Sequence, residues 1–83
     1  MAHLRSGKVR RPHKKSTLLH LHRLDGQPLA IPIWNIQQWD EHTFTGTMQT
    51  FVTVWYGLNM VPVRESFDSI EAAVNGTGVR HVK

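Results

Sequence analysis

The chain has 83 residues, a net charge of +4 and no cysteine. This length allows one small domain and excludes a deeply enclosed active site, and the lack of cysteine excludes disulfides and thiolate metal sites. No apolar run approaches the roughly 20 residues that a membrane-spanning helix needs, and the N-terminus lacks the apolar segment of a signal peptide. We therefore expect a cytoplasmic protein, or a virion-associated one if a phage encodes it.

The first 17 residues differ in composition from the rest of the chain. Five cations fall within eight of these residues, namely Lys8, Arg10, Arg11, Lys14 and Lys15. Because the segment has too little apolar surface to offset its ordering entropy, we predict a disordered basic arm. It could bind the phosphates of nucleic acid, fold onto a protein partner, or remain a solvated tail.

A β-hairpin is predicted at the start of the folded part. Leu19 and Leu21 alternate with histidines, which is typical of a strand with one dry face. Asp25-Gly26 then gives a tight turn, because both residues tolerate positive φ. The return strand over residues 28–33 contains Pro28 and Pro32, which cannot donate to a ladder and indicate an unpaired edge.

Three more strands are predicted after the hairpin. We expect a short turn at Trp34-Asn35, a third strand through Phe44, and a loop over residues 45–47. The β-branched and aromatic run QTFVTVWY predicts a fourth strand. A turn over residues 57–59 leads to a fifth strand, MVPVR, in which Pro62 again indicates an edge.

A short helix follows the fifth strand. Phe67, Ile70 and Val74 have the spacing of one helical stripe, and Asn75-Gly76 supplies a stop. Ser66 immediately precedes the stripe, where its hydroxyl can accept a hydrogen bond from a free first-turn N–H. We interpret Ser66 as an N-cap, because no general base lies near it in sequence to make it a nucleophile.

These elements predict a β-rich α+β protein. It consists of a small antiparallel sheet of four or five strands, one C-terminal helix and a basic N-terminal arm. We divide the chain into the arm (residues 1–17), the folded domain (residues 18–76) and a short basic tail (residues 77–83).

The order of these motifs resembles a known family, the FlbD-like flagellar and swarming-motility proteins. The resemblance covers about Leu18 to Val74, and uncharacterised small phage-encoded proteins share the pattern. Its matching pieces are His22-Arg23-Leu24-Asp25-Gly26, Ile31, Ile33-Trp34-Asn35-Ile36, Thr53-Val54-Trp55, Gly57, Val61-Pro62-Val63-Arg64-Glu65-Ser66 and Ile70. It implies a compact β-rich protein with one helix, no enzymatic activity and, in motility members, a supporting role at the flagellar motor.

Histidines and aromatic residues are the remaining candidates for a site. His20 and His22 share a strand face, but a metal site would need further ligands such as His42 or His81. We therefore expect a polar strand face and no metal or cofactor. The chain is small but contains many large aromatic residues. We therefore predict a protein-binding or oligomer surface among Trp34, Trp39, Trp55 and Tyr56.

The function predicted from the sequence is that of a non-enzymatic interaction or structural protein. It would assemble with itself or with a larger complex, such as a phage particle or a motility apparatus. The alternative is a nucleic-acid-binding accessory protein that uses the basic arm. Asp25, Gly26 and Ser66 are expected to have structural roles only.

Overall fold

The computed structural model describes residues 2–76, so the predicted basic tail lies outside the described residues. Among residues 2–76, no helix is long and apolar enough to cross a membrane. The elements in chain order are β1 (Ala2–Gly7), β2 (Leu18–His22), β3 (Pro28–Pro32), a 3-10 turn (Ile33–Asn35), β4 (Ile36–Thr43), β5 (Thr50–Tyr56), β6 (Asn59–Val63) and α1 (Phe67–Asn75).

The strands form two antiparallel sheets. One sheet has four strands in the order β1-β4-β5-β6, and the other is the β2-β3 hairpin. The hairpin joins β6 through a bridge between Arg23 and Val63 and through the Arg64 N–H, which donates to the His22 carbonyl at 2.9 Å. The predicted fold class, a β-rich protein with a small antiparallel sheet and one C-terminal helix, is confirmed.

The N-terminal residues are more ordered than their composition predicts. Ala2–Gly7 pairs with β4, so the prediction of disorder is wrong for these residues. They add one strand, β1, to the five strands predicted along the chain. The edge of β4 offers these residues a ladder of backbone hydrogen bonds. These tertiary contacts offset the ordering entropy, whereas the sequence argument considered only the segment's own apolar content.

β1 and β4 each contain an irregularity that changes which of the following side chains face the core. In β1 the pairing shifts between His3 and Arg5, and in β4 it shifts between Ile36 and Gln38. The skipped residue in each strand is the extra residue of a β-bulge. Consequently Trp39 lies on the same face as Ile36, three residues before it, which a strict period of two does not predict.

The core lies between one face of the four-stranded sheet, the hairpin and α1. Trp39 is the largest fully buried side chain, with 0% of its surface exposed. The predicted helical stripe of Phe67, Ile70 and Val74 packs into the same cluster. The other members of this cluster are Leu19, Leu21, Ile31, Ile33, Ile36, Val52, Val54, Val61 and Val63.

Local hydrogen bonds fix both ends of α1 and the hairpin turn. Ser66 is the N-cap of α1, and its Oγ accepts from the Ser69 N–H at 3.1 Å. Gly76 ends the helix in the left-handed region, with φ of 68°, which a side chain would disfavour. In the hairpin turn, Asp25 Oδ1 accepts from the Gln27 N–H at 3.0 Å, and Gly26 has φ of 94°.

Candidate functional site

The four-stranded sheet has a second face, opposite to the core. The pairing register puts alternate residues of each strand on it. In the described part of the chain, α1 and the hairpin both pack on the core side. We call this second face the outer face; it carries His3, Ser6, Gln38, Asp40, His42, Phe51, Thr53, Trp55, Met60 and Pro62.

A row of rings crosses one end of the outer face. The Phe44 and Phe51 rings stack with centroids 4.6 Å apart. Phe51 also stacks on His42 at 5.3 Å, and His42 meets His3 edge-on at 5.5 Å. Cross-strand ring pairs of this kind stabilise a sheet and give this end of the outer face a continuous aromatic surface.

The carboxylate of Asp40 organises the centre of the outer face. It accepts from Ser6 Oγ at 2.6 Å, from Trp55 Nε1 at 2.7 Å and from Gln38 Nε2 at 3.1 Å. Burial opposes the ionised form of Asp40, but hydrogen bonds from these three side chains outweigh it and lower the pKa of the carboxyl group. Asp40 therefore remains a buried, ionised hydrogen-bond acceptor at neutral pH.

This bond to Asp40 sets the orientation of the Trp55 indole. Trp55 stands opposite Gln38 in the pairing of β5 with β4, while Asp40 stands opposite Thr53. The indole must therefore reach diagonally across the two strands to place its N–H on Asp40. Thr53 is buried beneath this part of the face, whereas Trp55 keeps 38% of its surface exposed. The ring is consequently fixed along the sheet and exposed to solvent.

His3, Ser6 and Asp40 contain the residue types of a catalytic triad but not its order. Asp40 can only accept, so Ser6 Oγ–H donates to it at 2.6 Å. Ser6 Oγ then accepts from His3 Nε2–H at 2.9 Å. In a nucleophilic triad the histidine lies between the other two groups and takes the serine proton. The hydroxyl here is held by two hydrogen bonds as a bridge.

A cavity of about 280 Å³ opens beside the outer face, next to Lys8, the first of the five arm cations named above. It is lined by Ser6, Gly7, Lys8, Arg10 and Gln38. The Lys8 side chain is exposed, and its ammonium group makes no ion pair with any residue from 2 to 76. The cavity therefore brings one free cation next to the outer face.

The remaining arm cations have different surroundings. Arg10 pairs with Glu71 of α1, and the Arg11 guanidinium lies next to Gly76 at the end of α1, where the helix dipole favours a cation. Lys14 and Lys15 are exposed. The five predicted arm residues are thus not one uniform basic patch, because two of them contact or approach α1.

Two residues attach the arm to α1 through contacts that were not predicted from the sequence. Asn75 bridges to the arm, since its Oδ1 accepts from the Arg10 N–H at 2.7 Å and its Nδ2 donates to the Lys8 carbonyl at 2.9 Å. His13 Nε2–H donates to the Val74 carbonyl at 2.7 Å. No local sequence signal indicates these contacts, because their partners lie more than sixty residues apart.

The four aromatic residues of the predicted interaction surface do not lie together. Trp39 is buried in the core and is removed from any surface. Tyr56 packs against the core, and Trp34 is 60% exposed on the 3-10 turn. Of the four, only Trp55 belongs to the outer face. Sequence reasoning missed Phe51, which is four residues before Trp55 on the same strand and could have been found from the period of two.

The motifs that carry the family resemblance meet at the hairpin turn. Glu65 accepts from the His22 N–H at 2.8 Å and from His22 Nδ1–H at 2.7 Å. Burial opposes ionisation of Glu65, but these bonds from His22 outweigh it and lower the pKa of Glu65. His22, Arg64 and Glu65 also line a small surface cavity. The Arg64-Glu65-Ser66 triplet thus joins β6 to both the hairpin and α1.

Metal ligation finds no support among the residues that the structure describes. No three side chains of histidine, aspartate or glutamate cluster as metal ligands within residues 2–76. His20 is exposed on β2, while His22 is engaged with Glu65. His81 lies outside the described residues.

Comparison of the chain with protein-family models, with characterised proteins and with solved structures finds no match. The FlbD-like resemblance therefore stays a prediction. What can be inferred about function rests on the geometry of the outer face and of the arm.

Proposed function

We propose that this protein is a non-enzymatic interaction protein that joins a larger assembly through its outer face. The observation that supports this is the exposed aromatic and apolar surface on the side of the sheet that no described element covers. Met60 is 54% exposed there, beside Trp55, and the row of rings lies at the other end of the same face. Exposed apolar patches on small domains mark binding sites.

The hydrogen-bond framework under this face supports the same proposal. Asp40 holds Trp55 in one orientation, so binding does not have to order that side chain. Preorganised aromatic side chains contribute most to binding surfaces, because they give large contact area at low entropic cost. The resemblance to FlbD-like proteins implies a motility apparatus or a phage particle as the assembly, and hence a cytoplasmic or virion-associated location.

Site-specific photo-crosslinking in the producing cells tests the outer face. A photoreactive phenylalanine analogue at Met60 would report contacts of that face, and the same analogue at Leu58 provides the control. Leu58 is fully exposed in the turn between β5 and β6, two residues from Met60. We expect a discrete crosslinked species from position 60 that position 58 does not give. Equal products from both positions, or none from position 60, would contradict the proposal.

A nucleic-acid-binding accessory protein is the second candidate. It is favoured by the exposed Lys8, Lys14 and Lys15, whose ammonium groups make no ion pair within residues 2–76. Binding through these cations alone would be electrostatic and would weaken with salt in proportion to the phosphates neutralised. Replacement of all three by glutamine should flatten that salt dependence; an unchanged slope would exclude these three lysines as the contact.

A further inference from the structure

We infer that the outer face binds single-stranded nucleic acid, with a base stacked on Trp55 and a phosphate held at Lys8. This inference rests on the proposed function, because it takes the outer face as the binding surface and names the ligand. It differs from binding by the arm alone, since the stacking ring belongs to β5 and the sheet supplies the platform.

Trp55 is the side chain of this face on which we place the base. Its N–H is occupied by Asp40 at 2.7 Å, so the indole is held in one orientation, and 38% of the residue is exposed to solvent. Single-stranded nucleic acids bind to exposed aromatic rings without a strict sequence requirement, because every base has a π-face. A freely rotating tryptophan would lose rotamer entropy on binding, and the bond to Asp40 reduces that loss.

The cavity at Lys8 lies next to this ring. Gln38 lines the cavity and is also the cross-strand partner of Trp55, so this one residue connects the cavity with the strand that carries the ring. Gln38 Nε2 donates to Asp40, while its Oε1 has no partner among the described residues and can accept from a base amino group. Lys8 supplies a free ammonium for the phosphate.

Asp40 is the carboxylate on the outer face at the centre of this site, and Glu71, the other carboxylate near the cavity, is paired with Arg10. A phosphate would be repelled by Asp40, but three donors surround its carboxylate and only 7% of the residue is exposed. A phosphate at Lys8 therefore does not contact the carboxylate directly. The uncharged base lies over the Trp55 ring, so the phosphate at Lys8 and the stacked base occupy different parts of the site.

The row of rings offers a second stacking position at Phe44, which ends the row and is 42% exposed; the Phe51 ring is already stacked on both Phe44 and His42. Phe51 lies four residues before Trp55 on the same face of β5, so the row lies about 13 Å from Trp55 along the strand. A strand of a few nucleotides can span that distance. A four-stranded antiparallel sheet with aromatic side chains on neighbouring strands is an arrangement that RNA-binding domains use to stack two or three bases.

The charge at the rim of the outer face favours a nucleic-acid strand over a second copy of the chain. The free cation at the rim suits a polyanion better than a chain whose net charge is itself +4.

Binding of fluorescently labelled oligo(dT) and oligo(U) to the full chain tests this inference. Trp55→Leu removes the π-face but keeps an apolar side chain, and we expect the dissociation constant to rise by about 5- to 150-fold. Trp55→Phe keeps a ring and should bind more tightly than Trp55→Leu. The matched control is Trp34→Leu, since Trp34 is exposed but lies outside the outer face, and its affinity should equal that of the wild type.

A second variant keeps the test independent of the fold around Trp55. Lys8→Gln removes one exposed charge and should lower the slope of log affinity against log salt by about 0.7 for a single strand. Thermal unfolding of each variant shows whether its fold is retained. Uridine monophosphate is titrated in parallel, because a site that binds it as tightly as oligo(U) would take a free nucleotide and not a strand, which would overturn the inference.

The remaining outcomes separate this inference from the proposed function. If oligonucleotides bind equally to wild type and Trp55→Leu, the arm is the contact and the inference is wrong. If no oligonucleotide binds but sedimentation velocity shows self-association that Trp55→Leu abolishes, the outer face binds a second copy; the inference is then wrong and the proposed function stands. If neither oligonucleotide binding nor self-association involves Trp55, the inference is wrong, and the crosslinking from position 60 decides the proposed function independently.

Discussion

Replacing Gly7 by alanine tests whether the N-terminal segment is a strand of the sheet. A Cβ at this position would lie 2.3 Å from Trp39 Nε1, 2.6 Å from Trp39 Cε2 and 2.8 Å from Glu71 Oε1. Carbon atoms in contact are normally about 3.5–4.0 Å apart, so the methyl group overlaps its neighbours by roughly 1 Å. Trp39 is fully buried and cannot rotate away, so either the strand or the core must move.

Overpacking of this kind costs about 1–3 kcal/mol of unfolding free energy. In a domain of this size, each kcal/mol lowers Tm by about 4–8 °C. If the segment were a disordered arm, the same substitution would leave stability unchanged. Urea or thermal unfolding followed by far-UV circular dichroism measures the difference, and Lys8→Ala, at the exposed neighbouring position, is the control and should stay within about 0.5 kcal/mol of wild type.

A double-mutant cycle locates the clash. Trp39→Leu removes Nε1 and Cε2, the two atoms closest to the added methyl group, and places no side-chain atom in their positions. The cost of Gly7→Ala should therefore be smaller in the Trp39→Leu background than in the wild type. A Gly7→Ala protein as stable as the wild type would refute the packing of β1 against Trp39, and an equal cost in both backgrounds would assign the strain to other atoms.

Three further predictions concern the cap, the arm and the outer face. Ser66→Ala should lower the unfolding free energy by about 0.5–2 kcal/mol; an unchanged Tm would contradict the cap. Asn75→Ala leaves the Lys8 carbonyl and Arg10 N–H without their partner, so we expect a loss of about 1–3 kcal/mol and faster amide exchange over residues 2–10. Because hydrogen bonds outweigh burial and depress the pKa of Asp40, its stabilisation is complete above the unfolded pKa of about 3.9 and is lost as pH falls towards the folded value. In the Asp40→Asn variant, the free energy of unfolding should depend less steeply on pH in that range. A pH dependence as steep as that of the wild type would refute the stabilising role of the ionised Asp40 carboxylate.

Much of the fold could be predicted from short-range patterns. The hairpin, the three strands over residues 36–63 and the helix with its Ser66 cap all follow from alternation, turn residues and capping chemistry. These signals depend on interactions within a few residues. The structure places these elements at the predicted positions.

The binding surface could not be predicted in the same way. The bulge between Ile36 and Gln38 decides that Trp39 enters the core while Trp55 stays on the outer face, and nothing local marks that bulge. A shift of one residue in register moves a side chain to the opposite face of a sheet. Composition alone therefore could not separate the buried tryptophan from the exposed one.

Contacts between distant segments decided the rest. Ala2–Gly7 is ordered because β4 offers it a free edge, and the residues after it are held because Asn75 and His13 join them to the end of α1. The Asp40 network likewise draws on β1, β4 and β5. Sequence patterns report the tendencies of single segments, whereas ordering entropy is offset only when such segments meet, so the order of the arm and the orientation of Trp55 are properties of the tertiary structure.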